Sequence, residues 1–564
     1  MKTNIFLINC DKMLFSEFKT SSFKEAFGYL KNQPILGIDI ETTRKFGGKY
    51  GKQEGLDPYL TETVMLQIGT VDKQFIIDIR KSKKEDVTLL MRMLVDRGIT
   101  FVGHNLKFEI KHILHKNGVR LEKVLDTMIL ENMIYSGIKK PMDLNSLNER
   151  YLKLRVDKDI RMSFLTIGSK AFNIDQIEYG ARDILYPLMF FRTQVQKLHG
   201  FNMQKCIDLE MKFLPVLAEL ELTGFKINKN DWLEVAKVNK IRYRKQFEIL
   251  TSMLIEVLPS DSKFVNQQLD FFNTERTLTF KFSSSKKVIE LFSSFGINAE
   301  TTDKKSKKLK KTVESKILKS YLIINESSID ERYIKIAKEY LILKEYEQAC
   351  TTFGDKFAEK YIHPITGRLH SSFKQILTTG RISSSSPNIQ NIPSAPEFRK
   401  CFDSEEGGTL INADYSGQEN YVLVNQSLDK DLLGFYYGDE NDMHSFIASK
   451  IFPDKLTGLT LSEIKKQFPD LRNLAKSAGF AIKPCFIFIR KINLSPYLET
   501  FKLVSGRIAR TYMENLHPSL LNIQKVNRKV QRLMVEVGYT NNTDTRIRYL
   551  KEKSHGKDIV WAVW

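Results

Sequence analysis

What this sequence lacks narrows its class before any motif is considered. No run of about 18 apolar residues occurs, the length that a helix needs to cross a bilayer. The N-terminus, MKTNIFLINCDK, has too short an apolar core for a signal peptide. We therefore expect a soluble, unexported, cytoplasmic protein with no membrane partner. Cysteine is sparse: Cys10, Cys206, Cys350, Cys401 and Cys485 are widely scattered, and no C-x-x-C pair occurs. Neither a zinc site nor a disulfide framework is indicated, and the thiols are expected to be reduced. Acidic residues are in deficit, 67 against 87 Lys plus Arg, for a net charge of +20 and a pI near 9.4. That balance favours a polyanionic partner, although charge alone does not separate nucleic acid from an acidic membrane surface. The 564 residues are enough for several domains, and 42% hydrophobic content is ample for their cores.

The richest polar detail lies between Thr378 and Glu419, which reads TTGRISSSSPNIQNIP, a short gap, then LINADYSGQE. Arg381 stands in a Ser-rich, Pro-bounded segment followed by Asn388, Gln390 and Asn391, a set that suits donors reaching phosphates and base edges. The apolar run Thr409 to Ala413 reads as a short buried strand ending in Asp414, a natural place for a carboxylate to hold a metal ion. Taken singly, each half also reads as a serine-rich surface loop or an ordinary edge strand.

Near the N-terminus, PILGIDIETT reads as a buried strand from Ile35 to Ile40, with Asp39 and Glu41 pointing to one face. Adjacent carboxylates repel unless cations sit between them; an exposed strand end is the alternative. Apolar segments follow at Val64 to Ile68 and Phe75 to Ile77, then ITFVGHNLKFEIKHIL, a strand running into a helix near Asn105. Strands followed by helices argue for an α/β sheet. In IEYGARDILYPLMFF, Tyr179 and Asp183 share one helix face at i and i+4.

The segment EMKFLPVLAELELTGFKIN has helical spacing and stops at Thr223-Gly224. The cluster Lys304, Lys305, Lys307, Lys308, Lys310 and Lys311 reads as a solvated or disordered block, with a DNA-backbone contact as the alternative. EYLILKEYEQACTTFGDKF reads as a helical stretch that leads back through GRLHSSF into the serine-rich segment. In DLRNLAKSAGFAI, Arg472, Lys476 and Phe480 recur every four residues and share one face, of a basic surface helix or of a phosphate-binding one. Pro484 should end that helix early.

These motifs, in this order, resemble the DNA polymerase I family (family A), in a form similar to its phage members. The resemblance implies a multidomain chain: an α/β RNase H-like exonuclease domain of the DEDD type over 1–200, a thumb with connecting helices over 201–365, and an α+β palm and fingers over 366–564. It implies a DNA-directed DNA polymerase with 3′-5′ proofreading that acts in replication. Asp39, Glu41, Glu109 and Asp183 would hold two Mg²⁺ or Mn²⁺ ions, with Tyr179 orienting the attacking water. Asp414 would bind the polymerase metals. Tyr415, Glu419, Arg472, Lys476 and Phe480 would meet the nucleotide, with Glu419 as steric gate, while Arg381, Asn388, Gln390 and Asn391 would touch DNA. Partners would be primer-template, single-stranded 3′ ends and deoxynucleoside triphosphates, in the host cytoplasm for a phage protein.

Two departures stand out. The family has Asp where this chain has Glu109, whose extra methylene moves the carboxylate by roughly 1.5 Å, so we expect an active but slowed exonuclease. The family's Gln-Gly segment and motif C, the His-Asp-Glu hairpin with the second palm aspartate, do not occur in this sequence, and Pro484-Cys485 replaces the family's Tyr-Gly. On these grounds we expect an incomplete palm and a separate polypeptide carrying motif C, with an exonuclease alone or an inactive DNA-binding remnant as alternatives.

The charge balance carries a test. If about five phosphates are contacted, log affinity for primer-template should fall by roughly 4 to 5 per decade of salt. Fluorescence anisotropy across a salt series measures it, and a slope near zero would mean that the basic excess does not serve DNA.

Overall fold

Seven short segments in the first 126 residues, most of them apolar, pair into one sheet. The computed structural model describes residues 4–135, 140–155, 159–200, 203–270, 273–302, 308–377, 381–415, 437–438, 442–473, 475, 539–542 and 546–549. The chain divides into two compact units: 1–227 with 361–392 and 534–564, and 228–360 with 393–533.

In the first unit the strands are β1 (Ile5–Ile8), β2 (Lys19–Thr20), β3 (Ile35–Arg44), β4 (Thr61–Gly69), β5 (Gln74–Asp78), β6 (Thr100–Gly103) and β7 (Val124–Asp126). Their order is β2-β1-β5-β4-β3-β6-β7, with β4 antiparallel to β3 and β5 and the remaining pairs parallel. The block β5-β4-β3-β6-β7, with its single antiparallel strand, is the RNase H-like arrangement expected from the sequence. Leu36, Ile38, Ile40, Leu66, Ile68, Phe75 and Ile77 bury its centre, because strands covered on both faces need near-continuous apolar runs.

Helices α1 (Phe23–Leu30), α2 (Lys84–Asp96), α3 (Lys107–Asn117), α4 (Thr127–Ile134), α5 (Leu144–Leu152), α6 (Asp159–Phe164), α7 (Ile174–Gly200) and α8 (Gln204–Thr223) accompany the sheet. Buried Glu131 ties three of them together: it accepts from the Tyr151 hydroxyl and Gln194 Nε2, each at 2.7 Å, and pairs with Arg150. Helix α8 stops at Gly224, whose φ of +64° suits glycine. Just before that stop, buried Glu221 accepts from Lys107 Nζ at 2.6 Å, Lys111 Nζ at 2.9 Å and the Phe373 N–H at 2.6 Å. Lys107 and Lys111 lie four apart on α3, so this clasp fixes the rotation of α3 about its own axis.

In the second unit a 29-residue helix, Lys229–Val257, runs beside Glu331–Thr352. Leu250, Val288, Leu291, Phe292 and Tyr340 form the core there. Trp232 is wholly buried and stacks on Phe357 at 4.7 Å between ring centres. Of the lysine cluster, Lys310 and Lys311 lie on an exposed strand, Leu309–Lys311, paired with Glu300–Thr302; Lys304, Lys305 and Lys307 lie outside the described residues. Cys10, Cys206, Cys350 and Cys401 are free thiols, as expected. No helix among the described residues is long and apolar enough to cross a membrane.

Helix α7 approaches the sheet at two glycines. A Cβ on Gly37 would stand 2.8 Å from Leu188 Cδ1 and 2.9 Å from the Ile184 carbonyl oxygen, and one on Gly180 would stand 2.9 Å from both Gln67 Nε2 and Met65 Sδ. Gly37→Ala should therefore push α7 off β3 and destabilise the first unit by about 1–3 kcal/mol, the range for overpacking. Chemical denaturation measures this, and an unchanged midpoint would show that the two elements are not in rigid contact.

Candidate metal-dependent nuclease centre

Strand β3 places Asp39 opposite Gln67 and Glu41 opposite Met65, and a bulge follows directly between Glu41 and Thr42. Alternation along the strand sends both carboxylates to one face, and the bulge re-aims the chain beyond them. Across from them α7 supplies Asp183. Carboxylate oxygens of Asp39, Glu41 and Asp183 all lie within 4.8 Å of one another. Tyr179, one turn earlier on α7, lies beside Asp183, and its hydroxyl acts to lower that carboxyl's pKa. The fold thus brings together two pairs that are far apart in the sequence, Asp39 with Glu41 and Tyr179 with Asp183.

Glu109 sits on the first turn of α3, buried, within hydrogen-bonding reach of Asp39 rather than at the centre of the three-way cluster. Its Oε2 is buried with no hydrogen-bond partner. The start of α3 is held by Asp126, which accepts from the Asn105 N–H at 3.1 Å and the Leu106 N–H at 2.7 Å, and also caps α4 through the Met128 and Ile129 amides. The same aspartate thus joins β7, α3 and α4 at the edge of the site.

Burial dominates the electrostatics. It pushes Asp39, Glu41 and Glu109 well above the usual carboxylate range, and their mutual repulsion adds to the shift. Asp183 is pushed up to about 7 by burial, against the Tyr179 hydrogen bond and the charge of Arg161, which lower it. Burial, with Asp183, Glu41 and Asp39 nearby, also raises the Tyr179 hydroxyl, which stays protonated. Closely set carboxylates, one with an orphaned buried oxygen, form an all-oxygen donor set suited to hard divalent cations. Arg161 on α6, which faces Glu41, Tyr179, Asp39 and Asp183, escaped the sequence reading. Nothing in the spacing of KDIRMSF distinguishes it from a surface arginine.

The positions expected to form the polymerase site are only partly described. Glu419, Lys476 and Phe480 lie outside the described residues. Thr409 to Ala413 does not form the expected buried strand: Leu410 is 62% and Ile411 90% exposed, and Asp414 and Tyr415 are exposed too. A strand exists only through its ladder partners, and no described strand pairs with this run. Arg472 is bidentate to Asp442, at 2.8 and 3.0 Å. In the serine-rich segment Ser372–Lys374 pairs with Ser383–Ser385. Asn388 accepts from Ser384 Oγ and the Gln390 N–H, and the Gln390 side-chain oxygen accepts from the Ser384 N–H. These contacts stiffen the loop; Arg381 and Asn391 are exposed.

The sheet and its carboxylates define a nuclease of the metal-dependent RNase H-like class, carried on a longer, largely helical chain. Residues 18–193 match the family model for 3′-5′ exonuclease domains, and residues 261–560 match that for DNA polymerase family A. The chain belongs to DNA polymerase family A and carries a 3′-5′ exonuclease domain. It is 26% identical to the DNA polymerase I of Aquifex aeolicus, over 81% of this chain and 70% of that protein. To that of Borreliella burgdorferi it is 27% identical over 93% of this chain, which spans about half, 52%, of that relative's length. The solved POL domain of Pol1 from M. smegmatis, in complex with DNA primer-template and dNTP, shares the fold with a TM-score of 0.69 at 18% identity, over 99% of this chain and 84% of that one.

The raised carboxyls set the pH dependence of the metal-free protein. Between the ordinary aspartate range and about 7, folded Asp183 keeps a proton that the unfolded chain has released. The folded state then binds more protons, so stability should fall as pH rises through that window. Thermal unfolding in chelator between about pH 5 and 8 should show this fall, Asp183→Asn should flatten it, and Mn²⁺ should raise the midpoint more at the alkaline end. A flat wild-type profile would contradict the assigned burial.

Proposed function

We propose that this chain is a DNA-directed DNA polymerase of family A with a 3′-5′ proofreading exonuclease, acting on primer-template and single-stranded 3′ ends in the cytoplasm. The domains are read as exonuclease over 1–200, thumb over 201–365, and palm with fingers over 366–564. One observation carries the nuclease half: the convergence of Asp39, Glu41 and Asp183 within 4.8 Å, with Tyr179 beside Asp183.

In the proposed reaction Asp39, Glu41, Asp183 and Glu109 hold two divalent ions, Mg²⁺ or Mn²⁺. When bound, such ions lower the pKa of a water and offset charge on the phosphate. Tyr179 is held by Asp183 with its hydroxyl beside the carboxylates, where it orients the attacking water. The water oxygen bonds to phosphorus and the bond from phosphorus to the 3′ oxygen breaks. That oxygen takes a proton to become the new 3′ hydroxyl, and a nucleoside 5′-monophosphate leaves. Glu109 is where the site departs from the family pattern, since its carboxyl reaches Asp39 instead of the common centre.

The polymerase half rests on the family match over 261–560. We assign Asp414 to metal binding, and Tyr415, Glu419, Arg472, Lys476 and Phe480 to the deoxynucleoside triphosphate. Arg381, Asn388, Gln390 and Asn391 are assigned to primer-template. Two ions at the polymerase site belong to the same reading.

The purified chain should shorten single-stranded DNA from the 3′ end with Mg²⁺ or Mn²⁺. Asp39→Ala should cost at least roughly 1,000-fold, because it removes a ligand that acts with the whole site. Glu109→Asp should raise the rate if the longer side chain is a handicap. Gel assays on 5′-labelled oligonucleotides read both, and full activity in Asp39→Ala would place the nuclease elsewhere.

A further inference from the structure

The exonuclease carboxylates form the floor of their site. Among the described residues Arg161 is the cation that acts on Asp39, Glu41 and Asp183 together, while Arg182 acts on Asp183. The helix of Arg161, α6, is fastened on both sides of the site. Ser163 Oγ accepts from Gln176 Nε2 at 2.8 Å, near the start of α7. The Leu165 carbonyl accepts from Thr43 Oγ1 at 3.3 Å and the Arg44 N–H at 3.2 Å, at the end of β3. Phe164 is buried with its ring 6.2 Å from that of Tyr179. The helix therefore bridges the strand that carries Asp39 and Glu41 and the helix that carries Tyr179 and Asp183. From this anchored position Arg161 faces Glu41, Tyr179, Asp39 and Asp183. Glu41 is buried and Asp39 and Asp183 nearly so, whereas Arg161 is exposed.

We propose that Arg161 is a catalytic residue of the exonuclease reaction: its guanidinium engages the non-bridging oxygens of the 3′-terminal phosphodiester. The inference rests on the nuclease reading above and adds a substrate contact to it. Three physical arguments support it. An arginine that served only to neutralise the carboxylates would gain most from sitting bidentate on one of them, as Arg472 does on Asp442. Arg161 instead stands on the solvent side, where DNA must enter. Cations held by the carboxylates repel a guanidinium, so metal loading drives Arg161 towards the nearest anion, the phosphate. A planar fork of N–H donors also matches two phosphate oxygens, and charge develops on those oxygens during hydrolysis.

The test compares wild type, Arg161→Ala and Arg161→Lys on a 5′-labelled single-stranded oligonucleotide across Mn²⁺ concentrations. Expected are a loss in kcat/KM of roughly 100-fold in Arg161→Ala, the scale of removing one donor aimed at developing charge. Partial recovery is expected in Arg161→Lys, which keeps the charge without the fork. The half-saturating Mn²⁺ concentration should stay unchanged or fall, and the thermal midpoint should not shift, since the side chain is exposed. The proposal is overturned if kcat/KM at saturating Mn²⁺ is unaffected while the metal requirement falls, which would make Arg161 a counter-ion only. It is equally overturned if Arg161→Lys is as poor as Arg161→Ala and both lower the thermal midpoint, which would make the role structural. A wild-type chain with no nuclease, or one whose nuclease survives Asp39→Ala, overturns the nuclease reading itself, and the Arg161 assignment with it. A wild type that depends on Asp39 but not on Arg161 overturns the assignment alone.

Discussion

Like charges forced together govern the first unit. Asp39, Glu41 and Asp183 meet within 4.8 Å, and Glu109 presses on Asp39 from the other side. Left to themselves, buried carboxylates at this spacing either take up protons or separate. The surrounding structure prevents separation. Gly37 and Gly180 let α7 close on the sheet. Asp126 fixes the turn before α3. Glu221 with Lys107 and Lys111 stops α3 from rotating. Relief must then come from protons or cations, and the site becomes a cation trap because its framework is stiffer than its charges are comfortable.

Much of this was legible in the residues. Alternation in PILGIDIETT placed Asp39 and Glu41 on one face, and helical spacing placed Tyr179 and Asp183 together, because periodicity is a local property. The order of strands and helices argued for an α/β sheet, and the resemblance implied its RNase H-like class; the individual pairings had no signal in the sequence. What escaped was long-range. Arg161 acquires meaning only when α6 is folded between β3 and α7, and nothing within KDIRMSF reports that. Glu221 looked like one helix residue among several, since its partners lie 110 to 152 positions away. The apolar run Thr409 to Ala413 misled for the opposite reason. Its composition suits a strand, but the partners that make one are not in its own sequence, and the run lies exposed.

Glu109 shows how one methylene is absorbed. Backbone constraints on α3 come from both ends of its first turns, so the helix cannot retreat to accommodate a longer side chain. The carboxyl therefore ends against Asp39, with Oε2 unpartnered, and not among the other three. Moving it inward would take a backbone shift, and that shift is opposed by the Asp126 hydrogen bonds and the Glu221 clasp. The position of the Glu109 carboxyl is thus set as much by what holds α3 as by the length of the side chain.

In the second unit the same logic runs with the sign reversed. Arg472 is bidentate to Asp442, and both side chains are about one-fifth exposed. Asp442 has other donors: it caps the helix Met443–Ile451 through the His444 N–H at 3.2 Å and accepts from Ser445 Oγ at 2.8 Å. Releasing the guanidinium therefore leaves Asp442 hydrogen-bonded and not stranded. The pair uses the fork geometry in which a guanidinium meets two acceptor oxygens at once. Here a carboxylate is matched by a protein cation, whereas on the exonuclease floor the carboxylates are set against one another.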